Sequence, residues 1–251
     1  LGEMEFQKLT YVDNGVPSLS IGGFTNGVRV VDMAKGYSTL ANGGVYNDRT
    51  CIVKILHEKE GELTKDMTPF AKQVYRSDSA FMLTDVLKGT FTSPYGTGRG
   101  LGLENDMPAA GKTGTTNSSK DTWFCGYTRY YTTAVWVGYD IPRKMPGIYG
   151  STYAGKIWKN IMNQIHEGLE PWDWEQPESV ELKADPRTGT QDYFSTTAEF
   201  RAQQSLHDKE QAKLTGQLEQ DIQEFTTREI SSVEDTYAVR SLYQSITSRL
   251  P

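Results

Sequence analysis

The pattern of apolar residues predicts an α/β (α+β) chain, an antiparallel sheet flanked by helices with a polar helical extension at its carboxy-terminal end. Three observations carry this. Strands are expected around 109–117, 121–128 and 132–140, the first a small-residue segment and the other two runs of β-branched and aromatic residues, and their short connections favour antiparallel neighbours. Segments with helical apolar spacing stand on both sides of them, near 28–42, 78–90 and 152–168. The remaining polarity is concentrated at one end: residues 1–170 carry net +1, whereas 171–251 carry net −7 of the formal −6. At 251 residues the chain suffices for one substantial domain and an appendage. Its apolar fraction of 37% and mean hydropathy of −0.56 reflect that appendage.

Residues 1–27 are loop-rich, with turn signals at Asp13-Asn14-Gly15 and Gly22-Gly23. From about Val28 to Asn42, Val30, Met33, Ala34, Tyr37, Leu40 and Ala41 predict a core-packing helix, stopped by Gly43-Gly44. Tyr46 to Leu56 predicts a strand, and the charged stretch from His57 to Asp66 its turn, with His57 solvated. A second helix is expected from about Asp78 to Thr90, capped by Ser77 or Asp78 and burying Met82, Leu83, Val86 and Leu87. After the three strands, in which Trp123, Phe124, Trp136 and Val137 are sheet-packing residues, a helix from about Thr152 to Gly168 should cover the sheet with Ala154, Ile157, Trp158, Ile161 and Ile165. Asn117-Ser118-Ser119 matches a glycosylation sequon but falls in a hairpin turn.

The composition changes after Pro171. Residues 180–189 predict a short strand and turn, and 198–250 a helix striped by Leu214, Leu218, Ile222 and Phe225, then by Tyr237, Leu242, Ile246 and Leu250. Gly216 is expected to interrupt it, at a cost of about 1 kcal/mol. The domain boundaries are thus 1–170, 171–197 and 198–251.

Chemistry concentrates in Ala109-Ala110-Gly111-Lys112-Thr113-Gly114-Thr115-Thr116-Asn117. A phosphate-binding loop would need a glycine at position 106, which is Asp106, and a helix directly after the lysine, where strands follow instead. Gly96-Thr97-Gly98-Arg99-Gly100-Leu101-Gly102 is no dinucleotide loop either, because it has no glycine at the third required position and leads to Pro108. The other owner of a Lys-Thr-Gly strand is an acyl-transfer site: an ammonium, flanking hydroxyls, and a glycine that lets the backbone lie close to a bound acyl group.

Gly111-Lys112-Thr113-Gly114-Thr115-Thr116-Asn117, Asp121, Trp123-Phe124, the run Thr132 to Asp140, and the upstream run from Met33 to Tyr46 together resemble the transpeptidase domain of class A penicillin-binding proteins, of the serine β-lactamase-like superfamily. The resemblance covers about residues 1–170, more weakly to 194. It implies a β-lactamase/transpeptidase-like fold and a peptidoglycan D,D-transpeptidase that forms an acyl-serine, with a peptidoglycan glycosyltransferase upstream. Its ligands would be the D-Ala-D-Ala stem-peptide donor, an amine acceptor and β-lactams. Lys112 would supply positive potential and take part in proton traffic, and Thr113 and Thr115 would bind the donor's terminal carboxylate. The Thr115 N–H would be one arm of the oxyanion hole, Gly114 would give the acyl chain room, and Thr116 would be a weaker carboxylate contact. Thr97 and Gly98 would line the cleft.

The family's Ser-x-x-Lys and Ser-x-Asn motifs are not in usable places: no serine has a lysine three residues later, and Ser18, Ser20 and Ser38 are followed there by Ile21, Gly23 and Ala41. The chain also opens on Leu1. It is therefore expected to be the carboxy-terminal part of a longer enzyme, incomplete on its amino-terminal side and inactive alone. The membrane anchor the resemblance implies would lie upstream, placing the domain outside the cytoplasmic membrane. Two alternatives are a non-catalytic binding protein on the same fold and a tail that docks a cell-wall assembly partner. No basic patch points to nucleic acid, no His/Cys/acidic cluster points to a metal, and no cofactor is expected. Cys51 and Cys125 form no disulfide framework, and His57, His166 and His207 no triad.

Overall fold

Three short 3-10 helices, Gly2–Met4, Tyr11–Gly15 and Pro17–Ile21, begin the computed structural model, which describes residues 1–48, 52, 54–63, 70–117, 119–186 and 188–227. Asp13 is one of the buried carboxylates that fasten the segment. Asp13 accepts the backbone N–H groups of Thr10 and Thr25, each at 2.8 Å, and is 2% exposed. α1 (Val30–Ala41) ends where expected, at Gly43 and Gly44, both with positive φ. Its interior residues differ from the apolar set: the fully buried side chains are Asp32, held by Arg29 at 2.6 and 2.9 Å, and Thr39, while Val30 is 39% exposed. Met33 packs on a small cluster of Met4, Phe6 and Tyr46.

The expected strand from Tyr46 to Leu56 is two separate pieces, with Arg49, Thr50, Cys51 and Val53 outside the described residues. β1 (Val45–Asn47) pairs antiparallel with β4 (Ala71–Gln73), whereas β2 (Leu56–His57) forms a minimal hairpin with β3 (Gly61–Glu62). The break follows Asn47, where Asp48 turns its carboxylate to Lys35 at 2.7 Å. His57 is exposed, as expected.

α2 (Ser77–Thr92) starts from Arg76 at the N-cap, so neither Ser77 nor Asp78 caps it, and Asp78 is instead buried against the Arg76 guanidinium. The helix buries Ala80, Phe81, Thr84 and Thr90, whereas Leu83 and Val86 are exposed and Met82 and Leu87 half-buried. Hydroxyl bonds to the sheet explain the rotation. Thr90 donates to the Gly111 carbonyl at 2.6 Å, and Thr84 meets the Tyr127 hydroxyl at 2.9 Å.

β5 (Ala110–Thr115), β6 (Asp121–Tyr127) and β7 (Thr132–Gly138) form one antiparallel sheet in that order, with Lys112 opposite Cys125 and Trp123 opposite Trp136. α3 (Tyr153–Ile165) covers it, but through Ala154, Gly155, Trp158 and Met162. Ile157, Ile161 and Ile165 are each about 40% exposed, because the sheet admits the small residues and the single large indole. Phe124, Trp158, Met162 and Leu101 form the main core cluster.

β8 (Val180–Ala184) and β9 (Gln191–Ser195) make the expected extension a hairpin. By contact the chain divides into two compact units, Leu1–Phe194 and Ser195–Pro251. The second holds α4 (Ala198–Thr227), which runs without interruption through Gly216; Leu206 and Leu214 are exposed. The later stripe, from Tyr237 to Leu250, lies outside the described residues. No helix among the described residues is long and apolar enough to cross a membrane.

The Thr25 and Thr10 amides hold the Asp13 carboxyl down to about 2. Its contribution to stability is therefore full above the unfolded value of about 3.9 and lost as pH falls through the folded one. Asp13→Asn should lower the denaturant midpoint at pH 7, with the difference from wild type closing between about pH 4 and pH 2.

Candidate active site

β5 is an edge strand, and its alternation sets the site. Lys112 lies on the sheet face that carries Cys125 and Tyr127; Thr113 and Thr115 lie on the face that carries Phe124 and Gly126. The strand's backbone alternates as well. Thr116 N–H bonds back to Asp121 O, while the Gly111 carbonyl turns outward to Thr90, so the intervening N–H of Thr115 points to the open edge.

The side chains follow. The exposed Lys112 bends its ammonium onto the Thr113 carbonyl at 2.9 Å, and among the described residues no carboxylate neutralises it. Thr113 Oγ1 lies 2.7 Å from Thr97 Oγ1. Thr115 Oγ1 accepts the N–H of Gly150 at 3.1 Å. Thr116 Oγ1 accepts the N–H groups of Lys120 and Asp121, both at 3.1 Å, and closes the β5–β6 turn. Gly114 sits against Trp123 on the neighbouring strand, where an added Cβ would meet the tryptophan Cβ at 3.1 Å.

Beside Lys112 opens a cleft of about 320 Å³, bounded by Val86 and Gly89 of α2, by Ser93, Tyr95 and Thr97 of the loop after it, and by the lysine. Of the two loop residues expected to line a cleft, Thr97 does. Gly98 is buried beneath it, donating to Thr90 O at 3.0 Å, and an added Cβ would fall 2.8 Å from Thr90 Cγ2. Val86, Tyr95 and Gly150 were not signalled in the sequence: Val86 is expected on the buried side of α2 yet is 69% exposed, and Tyr95 is 94% exposed.

The other reactive groups are occupied elsewhere. Burial pushes the Cys125 thiol and the Tyr127 hydroxyl up to about 12. His166 is inside the domain, with Nδ1 on Met162 O at 2.6 Å and Nε2 on Thr128 Oγ1 at 2.8 Å. Ser93 Oγ accepts the Tyr95 N–H. No metal-ligating cluster occurs among the described residues. The arrangement offers one cation, a row of hydroxyls and an outward N–H along an open strand edge, which suits an anionic peptide laid against that edge.

The family model for the penicillin binding protein transpeptidase domain matches residues 5–163. Penicillin-binding protein 1A of Clostridium botulinum is 34% identical over 167 residues, covering 66% of this chain and 20% of that protein. The protein of the same name from Streptococcus pneumoniae is 35% identical over 164 residues, covering 59% and 22%. Among solved structures, penicillin-binding protein PonA1 of Mycobacterium tuberculosis aligns with a TM-score of 0.56 at 31% identity, covering 64% of this chain and 43% of that one. Penicillin-binding protein 1A of Haemophilus influenzae shares the fold, with a TM-score of 0.65 at 20% identity, over 77% and 35%. The chain belongs to the penicillin-binding protein transpeptidase family. It spans about a fifth of the length of the curated relatives it matches.

The different placements of Thr97 and Gly98 separate their substitutions. Gly98→Ala should cost about 1–3 kcal/mol by overpacking against Thr90, whereas Thr97→Ala should stay within about 0.5 kcal/mol. Thermal unfolding of the two variants measures both.

Proposed function

We propose that this chain is the carboxy-terminal part of the D,D-transpeptidase domain of a bifunctional class A penicillin-binding protein, whose nucleophilic serine and glycosyltransferase domain lie upstream. The observation that carries the reading is the open edge of β5, where the Lys112 ammonium, the Thr113 and Thr115 hydroxyls and the outward Thr115 N–H occur together in a chain of this family. The short share of the relatives' length supports the upstream remainder.

In this reading the serine oxygen attacks the carbonyl carbon of the donor's D-Ala-D-Ala bond. The oxygen that becomes negative is held by the Thr115 N–H and by a second N–H at the serine. The peptide bond breaks, the terminal D-alanine leaves as an amine after taking a proton, and an ester to serine remains. An acceptor amine then attacks the ester, loses its proton, and releases the serine with a new peptide cross-link formed. Lys112 favours the anionic groups and exchanges protons at the serine site, and Thr113 and Thr115 donate to the donor's terminal carboxylate. Gly114 keeps the edge narrow. Thr97, against Thr113, belongs to the same hydroxyl row; Gly98 acts beneath it by packing, and Thr116 by closing the turn. β-Lactams would enter by the same carboxylate contacts. The domain would work outside the cytoplasmic membrane, held by an upstream anchor, with residues 198–251 as a docking segment for a cell-wall assembly partner.

The test is the size of the native gene product in its source cells, followed with an antibody to this chain and with fluorescent penicillin. A labelled band much larger than 28.1 kDa is expected. An unlabelled band at that size would overturn the catalytic reading in favour of a binding protein on the same fold. In the labelled product, Lys112→Ala should slow acylation by at least about a hundredfold, read from the time course of labelling. The 251-residue chain alone should show no covalent penicillin adduct by mass spectrometry.

A further inference from the structure

Gly150 lies in the loop before α3, far from the Lys-Thr-Gly strand in sequence but in contact with it in space. Its N–H donates to Thr115 Oγ1 at 3.1 Å, and its carbonyl accepts the N–H of Gly155, in the first turn of α3, at 2.8 Å. Both polar groups of this one residue are thereby tied, one to the site and one to the helix that covers the sheet. Its φ is not in the left-handed region, so backbone conformation does not demand glycine. Space does. A Cβ would fall 2.5 Å from Trp123 O, 2.8 Å from Gly114 O and 3.0 Å from Gly114 N, all backbone atoms of β5 and β6 that have no side-chain freedom to yield. The turn that contains it is locked as well, since Thr152 Oγ1 donates to Tyr149 O at 2.6 Å and accepts the Tyr149 N–H at 3.1 Å.

A threonine hydroxyl has one hydrogen and two acceptor positions. With one acceptor position taken by Gly150, the Thr115 oxygen is fixed, and its hydrogen is left to donate to whatever lies beyond the strand. We infer that Gly150 is a positioning residue, which orients the Thr115 hydroxyl as a donor toward an anionic ligand group. This rests on the reading of Thr115 as a contact to the donor's carboxylate. Gly150 itself touches no substrate; it couples the α3 end of the domain to the site wall.

Two measurements test it. In the 251-residue chain, hydrogen exchange followed by NMR should show the Gly150 amide protected in wild type and in Thr115→Ser, and exchanging about five- to tenfold faster in Thr115→Val, as expected for loss of one hydrogen bond. Equal exchange in all three would overturn the anchor. In the full gene product, acylation rates are compared for benzylpenicillin and for its methyl ester, which lacks the carboxylate charge. Gly150→Ala should lower the ratio of the free-acid rate to the ester rate about tenfold, and Thr115→Val should lower the same ratio to a similar extent. If Gly150→Ala slows both ligands equally, or neither, while Thr115→Val still erases the preference for the acid, the positioning role is overturned and the Thr115 reading stands. If Thr115→Val leaves that preference intact, the carboxylate reading itself fails, whatever the amide exchange shows.

Discussion

The domain depends on how closely Trp158 of α3 lies on Gly126 of β6. A Cβ at position 126 would stand 2.7 Å from the indole ring, so the contact exists only because the residue is glycine. The indole N–H donates to the Gly126 carbonyl at 3.2 Å, and the ring packs on Phe124 and Phe91 with centroids 4.8 and 5.5 Å away. One side chain thus joins the helix after the sheet, its central strand, and the end of the helix before it. Truncating a buried aromatic of this size costs about 3–5 kcal/mol, a large part of a domain's net stability. β5, which carries the cation and hydroxyls, is held in register by its pairing with that same strand, β6.

Much of this was legible in the residue pattern. The three strands were found within one or two residues; in β6 and β7 this is because β-branched and aromatic runs bounded by turn residues leave few other conformations. The helices were placed well, but their buried faces were not. Counting apolar residues favoured Ile157, Ile161 and Ile165 over Gly155 and Met162, and Val86 over Thr84 and Thr90. In both helices the sheet selected residues by close fit or hydroxyl bonding, neither of which hydropathy measures. The site divides similarly. Lys112, Thr113 and Thr115 share a short strand and were visible in the string itself, whereas Tyr95 and Gly150 reach that strand only by tertiary folding of loops.

Threonine does much of the interior polar work. Thr84, Thr90, Thr122 and Thr128 are buried, and each bonds a partner across elements: a tyrosine hydroxyl, two strand carbonyls and a histidine ring. Thr128 is the densest case. Its oxygen accepts the N–H groups of Tyr130 and Tyr131, so its hydrogen is directed to His166 Nε2, while Nδ1 of that ring donates to Met162 O. The histidine is thereby consumed as a joint between the β6–β7 turn and the end of α3. Such bonds are directional, so they fix rotation of a helix on a sheet more narrowly than apolar contact does.

The thiol of Cys125 sits on the central strand, 1% exposed and opposite Lys112, with burial raising its pKa to about 12. Oxidants and alkylating agents react with thiolate they can reach, and here both conditions fail while the sheet is closed. Modification at this position is therefore gated by separation of β5, β6 and the helices over them. The rate at which Cys125 is labelled becomes an internal clock for opening of the sheet beneath the site.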